Sequence, residues 1–209
     1  MQESFRLKEA VRKLLGRELS SRQLDAFAWY SSELREWNQR FNLTAIKDPA
    51  GIEVRHFLDS LTCYMAMNVI AADAVVDVGT GAGFPGIPLK ILCPNMKLTL
   101  VEATSKKAEF CKHIVGGLGL EDVEVVHGRS EDIARDSRYR EAYDFALARA
   151  VAPLPVLVEY LLPFLRVGGR AIAQKGETAH AEAHDAEAAL VILGGSVDRL
   201  IPVELPGVV

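Results

Sequence analysis

The densest run of chemically suggestive residues is Asp77-Val78-Gly79-Thr80-Gly81-Ala82-Gly83, directly after the apolar stretch Ala74-Val75-Val76. Glycines at this spacing let a strand turn sharply into a helix and let backbone approach a ligand closely. The run reads in two registers. As Asp-x-Gly-x-Gly-x-Gly it is the nucleoside-binding loop of enzymes that use S-adenosyl-L-methionine. As Gly81-Ala82-Gly83-Phe84-Pro85-Gly86 it also satisfies GxGxxG, the dinucleotide fingerprint. Asp77 separates the two. A carboxylate repels a pyrophosphate but attracts a sulfonium and the ammonium of a methionine moiety. Gly79, added to Gly81 and Gly83, also opens more backbone than a pyrophosphate turn requires. The methyl-donor reading leads, with a nicotinamide site or a merely tight turn as its rivals.

Two further segments extend the site. Glu102 closes the next apolar run, where a carboxylate can accept both ribose hydroxyls of a nucleoside; otherwise it is a solvated acid at a strand end. Gly128-Arg129-Ser130-Glu131-Asp132 follows the third run, where backbone at Ser130 and the carboxylate of Glu131 can meet an adenine edge. His180 and His184 stand at i, i+4, a metal-capable spacing. Zinc hydrolases need Glu directly after the first His, and no third ligand is evident, so no metal is expected.

The elements that must position these residues come in two styles that meet near residue 73. Before it the pattern is helical. Leu24, Phe27, Ala28, Leu34, Trp37 and Phe41 recur at helical spacing behind a capping box, Ser20-Ser21-Arg22-Gln23. A second helix starts at Asp48-Pro49 and runs through Ile52, Phe57 and Leu61 toward Met67. Met1 to Arg6 reads as an amphipathic helix and not a signal peptide. After residue 73, strands predicted at 74–78, 98–101, 123–126, 143–148 and 170–174 alternate with helices at 85–92, 105–118, 130–135, 153–165 and 178–193. A last strand is expected around Val197–Leu205. Strand–helix alternation implies an α/β fold: a mainly parallel, twisted, Rossmann-like sheet with helices on both faces. Residues 1–72 then form an N-terminal helical extension packed on the core, and 73–209 the cofactor-binding unit.

Bulk composition narrows the class. The 209 residues carry 28 acids against 24 bases, a net charge of −4, which argues against a generic nucleic-acid binder coated in Lys and Arg. No apolar run approaches the ~20 residues of a membrane span. Cys63, Cys93 and Cys111 are odd in number and scattered, which fits a reduced cytoplasmic interior and no disulfide framework.

Trp37-Asn38, Phe41-Asn42-Leu43-Thr44, Val54-Arg55-His56-Phe57-Leu58-Asp59-Ser60, the loop from Asp77 to Pro88, Ala148-Arg149-Ala150 and Lys175-Gly176 occur in this order. In that combination the chain resembles the bacterial ribosomal small-subunit RNA methyltransferase G family, also called glucose-inhibited division protein B. The resemblance implies a class I methyltransferase fold and methyl transfer to N7 of one guanine in 16S rRNA near the decoding site. It implies cofactor contacts at Gly79, Phe84, Ser130, Glu131 and Arg149. The family continues past Leu205-Pro206-Gly207 into a final strand, so a sheet short of one strand is expected here.

Guanine N7 carries an in-plane lone pair and no proton, so the chemistry needs positioning and electrostatics and no general base. Asp77 and Glu102 are expected to hold the cofactor. Arg149, leaving the fourth strand, is expected to position cofactor or guanine, the alternative being an ion pair with Asp144 or Glu159. Arg35, Arg40, Lys47, Arg55, His56, Lys106, Lys107 and Lys175 are candidates for a phosphate-contacting rim. His56 fits an interior histidine equally well, and Trp37 and Phe41 read as packing partners before base stackers. A monomer acting on 16S rRNA within the 30S subunit is expected. A small-molecule methyltransferase, a nicotinamide-dependent oxidoreductase and a non-enzymatic ribosome-assembly factor are the competing readings.

Overall fold

The structure is a computed structural model that describes residues 2–67 and 73–206. Its centre is a five-stranded, wholly parallel sheet in the order β3-β2-β1-β4-β5. The strands are β1 (Ala74–Val78), β2 (Lys97–Glu102), β3 (Val123–His127), β4 (Tyr143–Arg149) and β5 (Leu165–Gln174). Strand order reverses between β1 and β4, and the carboxyl edge at such a switch point is where α/β sheets open a ligand crevice.

Alternation along β1 builds two cores. Val75 faces one, with the N-terminal helices, α5 (Gly86–Leu92) and α6 (Ser105–Gly117). Val76 and Val78 face the other, with Leu157 and Leu161 of α8 (Leu154–Leu161) and with Phe164. Asp77 therefore falls on the first face, where an apolar residue is the rule.

The N-terminal half forms for local reasons. After α1 (Gln2–Leu15), α2 (Ser21–Phe41) opens on a complete capping box: Gln23 N–H donates to Ser20 Oγ at 3.3 Å, and Gln23 Oε1 accepts from Ser20 N at 2.9 Å. Gln23 also caps another helix, its Nε2 donating to the carbonyls of Ile91 and Leu92 at the end of α5. Asp48 caps α3 (Pro49–Gly51) through the Gly51 N–H at 2.6 Å, with Pro49 at the first helical position. The helical path continues through a π-helical segment, Ile52–Leu58, then α4 (Asp59–Thr62) and a 3-10 turn, Cys63–Met65. π-turns recur at functional sites because they re-aim side chains. The junction read near residue 73 abuts residues 68–72, outside the described residues.

Three expectations change in detail. Strand β5 starts at Leu165, because the Gly168-Gly169 stretch forms an irregularity inside the strand: Tyr143 pairs with Leu165 and Phe145 with Arg170. The helix expected over 178–193 is two, α9 (Ala179–Asp185) and α10 (Glu187–Leu193), which meet at Ala186. No strand forms over 197–205. Pro202 interrupts that run and cannot donate to a ladder; Leu205 packs against the first core instead. α7 (Ser130–Ile133) and a 3-10 turn, Leu162–Phe164, complete the helices among the described residues.

Candidate active site at the carboxyl edge of the sheet

The glycine loop leaves β1 and is pinned at almost every residue. Gly79 N–H and Thr80 N–H donate to Val101 O at 2.9 and 3.1 Å, and Gly81 N–H donates to Glu102 Oε2 at 2.8 Å. Gly79, Gly81 and Gly83 all adopt positive φ, which side-chain-bearing residues resist. The Phe84-Pro85 bond is cis. Gly83 has a second reason to be glycine: a Cβ there would stand 2.5 Å from both Tyr30 Oη and Ile87 Cδ1. At Gly81 the nearest atom to such a Cβ is Gly79 O at 4.0 Å, so this face of the loop is open.

Asp77 is fully buried, and its Oδ2 accepts from Thr80 Oγ1 at 2.6 Å and from Gly86 N–H at 2.8 Å. Its Oδ1 is buried with no protein partner. Burial pushes the carboxyl up to about 6; the bonds from Thr80 and Gly86 and the charge of Arg149 oppose that rise, and Glu102 adds to it. An unpaired buried acceptor with a raised pKa suits a cationic group. Glu102 is also buried, each oxygen accepting a backbone N–H, from Gly81 at 2.8 Å and from Thr104 at 2.7 Å. Each oxygen keeps further lone-pair capacity, enough to meet a diol while buttressing the loop. These residues fit a cationic, ribose-bearing cofactor.

Ser130 and Glu131 open α7, and Gly128 N–H donates to Glu102 O at 3.0 Å, which sets that turn beside the end of β2. Ser130 Oγ donates to Glu131 Oε2 at 2.8 Å, and hydrogen bonding holds the Glu131 carboxyl below its ordinary range.

Phe84 carries the link to the N-terminal helices. His56 lies flat against it, with centroids 4.5 Å apart and planes at 8°, and Tyr30 stacks at 5.5 Å while its hydroxyl donates to Ala82 O at 2.5 Å. Arg149, at the end of β4, lies 5.0 Å from the Phe84 ring centroid. Its Nη1 donates to Asp59 Oδ2 at 2.7 Å and to Arg55 O at 3.1 Å, and its Nη2 meets His56 Nδ1 at 3.1 Å. An arginine has only donors, so Nδ1 accepts and the ring proton sits on Nε2, 2.7 Å from Thr44 Oγ1. Burial, helped by the Arg149 charge, pushes His56 down to about 4, which keeps it neutral near pH 7.

The sequence-predicted residues therefore sort into groups. Asp77, Gly79, Gly81, Gly83, Phe84, Glu102 and Arg149 converge on one edge. Asp144, an alternative partner for Arg149, is ion-paired to Arg166 instead. Both nitrogens of His56 have partners inside the protein, Thr44 and Arg149, as the interior reading of that residue expects. Lys175 is turned inward too: its Nζ donates to Ala152 O at 2.6 Å and pairs with Glu182 at 2.7 Å. Arg35, Arg40, Lys47, Arg55 and Lys106 are exposed and Lys107 half-exposed, with Lys106 Nζ 5.5 Å from the Phe41 centroid. Asp59, Gln174 and Tyr30 carried no assigned role from sequence, although a lone acid in the apolar run Phe57-Leu58-Asp59-Ser60-Leu61 is a signal in itself.

Comparison with known proteins agrees with this geometry. A model of the rRNA small subunit methyltransferase G family matches residues 23–204. Ribosomal RNA small subunit methyltransferase G of Roseiflexus castenholzii is 51% identical over 193 residues, covering 92% of this chain and 82% of that protein. Its counterpart in Alkaliphilus metalliredigens is 45% identical over 206 residues, covering 99% and 86%. The crystal structure of a SAM-dependent methyltransferase from Aquifex aeolicus superposes with a TM-score of 0.54 at 19% identity, over 78% of this chain and 91% of that one, a likeness of fold alone. With most of its length matched by the family model and by close relatives, the chain belongs to the rRNA small subunit methyltransferase G family.

Proposed function

We propose that this chain transfers the methyl group of S-adenosyl-L-methionine to N7 of one guanine in 16S rRNA near the decoding site, as a cytoplasmic monomer acting on the 30S subunit. Family membership supports the reaction class. The observation that carries the chemistry is the pairing of two buried carboxylates, Asp77 and Glu102, with the guanidinium of Arg149 above Phe84. When bound, the cofactor supplies an electrophilic methyl group.

In this reading the backbone of Gly79, Gly81, Gly83 and Phe84 gives the cofactor its binding surface. Asp77 meets its cationic end, Glu102 its ribose, and Ser130 with Glu131 its adenine. Arg149 positions guanine against it. The N7 lone pair needs no base, so the protein's task is to hold two partners in line and exclude water. Arg35, Arg40, Lys47, Arg55, Lys106 and Lys107 supply the phosphate-facing rim. Residues 1–72 act as a helical extension that delivers part of this rim and closes over the loop of the 73–209 unit. Among the described residues no helix is long and apolar enough to cross a membrane.

The test is to incubate the protein with labelled cofactor and unmethylated 30S subunits and map N7-methylguanine by chemical cleavage. Label at one guanine is expected, with S-adenosylhomocysteine binding and NADH not. RNA without label overturns the reading.

A further inference from the structure

Beside the glycine loop, between the ends of β4 and β5, lies a cleft of about 590 Å³. That is in the range of small-ligand pockets, about 300–1,000 Å³. The chain from Ala150 to Pro153 lines it, together with Asp59, Arg149, Gln174, Lys175 and Glu182. The cleft adjoins the loop through Val151, one of whose methyls would stand 2.8 Å from a Cβ on Gly79. Ala150 adopts φ +55°, a left-handed conformation that costs a non-glycine residue energy and turns the chain as it leaves Arg149.

The polar groups of this cleft differ in how much bonding capacity they retain. Glu182 is engaged at both oxygens: Oε1 accepts from Thr178 Oγ1, and Oε2 accepts from Leu154 N–H and Lys175. Lys175 is held between Glu182 and Ala152 O. Gln174 turns its amide nitrogen onto Asp59 O at 2.7 Å and Thr62 Oγ1 at 3.0 Å, while its Oε1 is buried without a protein partner. Of the charged side chains in the cleft, Asp59 is the most open to solvent. Its Oδ2 takes Arg149 at 2.7 Å, but its Oδ1 has only a long approach from Gln174 Nε2 at 3.4 Å, and the side chain is 29% exposed. Arg149 makes three of the five hydrogen bonds its guanidinium can donate.

Arg149 meets Asp59 through one bond, Nη1 to Oδ2, and its unused N–H groups are on Nε and Nη2, so the pair can offer two carboxylate acceptors and a guanidinium donor. The Watson–Crick edge of guanine offers the complement: N2–H and N1–H donors, then the O6 acceptor. Adenine puts a lone pair at N1, against the carboxylate, and an amino group where O6 would be, against the guanidinium. N7 neighbours O6, so a guanine read this way turns N7 past Arg149 toward Phe84 and the glycine loop.

We propose that this cleft receives the target guanine and that Asp59 is its specificity-determining residue, accepting N1–H and N2–H while Arg149 donates to O6. The proposal rests on the reading that N7 of a guanine is methylated, and it requires an unpaired or extruded base.

The test compares small subunits reconstituted with 16S rRNA carrying either guanine or inosine at the methylated position; inosine retains N7, O6 and N1–H and lacks only the 2-amino group. Wild-type protein is expected to prefer guanine in kcat/KM by roughly 10- to 100-fold, the worth of a hydrogen bond to a charged acceptor. Asp59→Asn is expected to bring that ratio close to one while S-adenosylhomocysteine affinity stays within about threefold. Equal wild-type rates on guanine and inosine overturn the proposal. So does an Asp59→Asn variant that slows both substrates alike and keeps their ratio, since that is how a residue merely supporting Arg149 behaves. If Asp59→Asn does not fold, Asp59→Glu, which keeps a charge for Arg149, is read for the same ratio, and an unchanged ratio overturns the proposal. Absence of N7-methylguanine from wild-type protein on native subunits instead removes the underlying reading, a result distinct from loss of discrimination.

Discussion

Arg149 and Asp59, 90 residues apart in the chain, are joined by a 2.7 Å ion pair that ties the end of β4 to the helical segment preceding the sheet. The pair is largely withdrawn from solvent, with the arginine side chain 14% exposed. Removing one partner leaves the other charge poorly solvated, at a cost of about 2–4 kcal/mol. Arg149→Gln is therefore expected to lose stability on that scale in urea and to lower methylation by roughly 100-fold or more. Arg149→Lys should regain part of the stability and little of the activity, because an ammonium cannot replace a planar fork. Normal methylation by Arg149→Gln contradicts the positioning role.

Asp77 makes opposite predictions for the empty and the loaded protein. Its carboxyl is raised from 3.8 to about 6 in the fold. A raised acid favours the folded state below its unfolded pKa, and that contribution is lost as pH rises through 6; the full difference is about 3 kcal/mol. Without cofactor, the protein should gain thermal stability between pH 7.5 and 5 relative to Asp77→Asn, which lacks this titration. Binding of a cationic cofactor needs the carboxylate, so affinity for S-adenosylmethionine should fall as pH drops below 6. Calorimetry at three pH values decides it, and a pH-independent affinity removes Asp77 from the cationic end.

Two glycines in one loop should fail in different ways. At Gly81 an added Cβ meets open space, and only the positive φ resists it, at about 1–2 kcal/mol. Gly81→Ala should fold and lose cofactor affinity. At Gly83 the Cβ collides with Tyr30 and Ile87, so Gly83→Ala should lose about 3–5 kcal/mol as well as binding. Thermal shift with and without S-adenosylhomocysteine separates the two. A Gly81→Ala protein that binds normally shows that the open face is not the cofactor's.

The rim is tested by charge reversal away from the cofactor. Lys47→Glu with Arg55→Glu should reduce methylation of 30S subunits by 10- to 100-fold and lower the salt dependence of RNA binding by one to two in slope. S-adenosylhomocysteine affinity should not move. Unchanged methylation places the RNA on another face.

The sheet was legible because β1, β2 and β4 are short, β-rich runs bounded by turn residues, and the cofactor edge was legible because glycine spacing and Asp77 are local signals. His56, Asp59 and Gln174 were not. Their roles come from pairings across 93, 90 and 115 residues, which no periodicity encodes. The partners of His56 and Lys175 were hidden for a related reason: a basic side chain looks alike in sequence whether it faces phosphate or, as with Thr44 and Glu182, another part of the protein.

The bond from Gln174 to Asp59 spans 115 residues. On a ribosome adding about 5–20 residues per second, Asp59 emerges on the order of ten seconds before its partner. Through that interval the nascent chain can form its leading helices, while the site they help build waits for the fifth strand. Activity thus arrives late in synthesis, and a prematurely terminated chain ending before β5 lacks the brace that holds Asp59 toward Arg149.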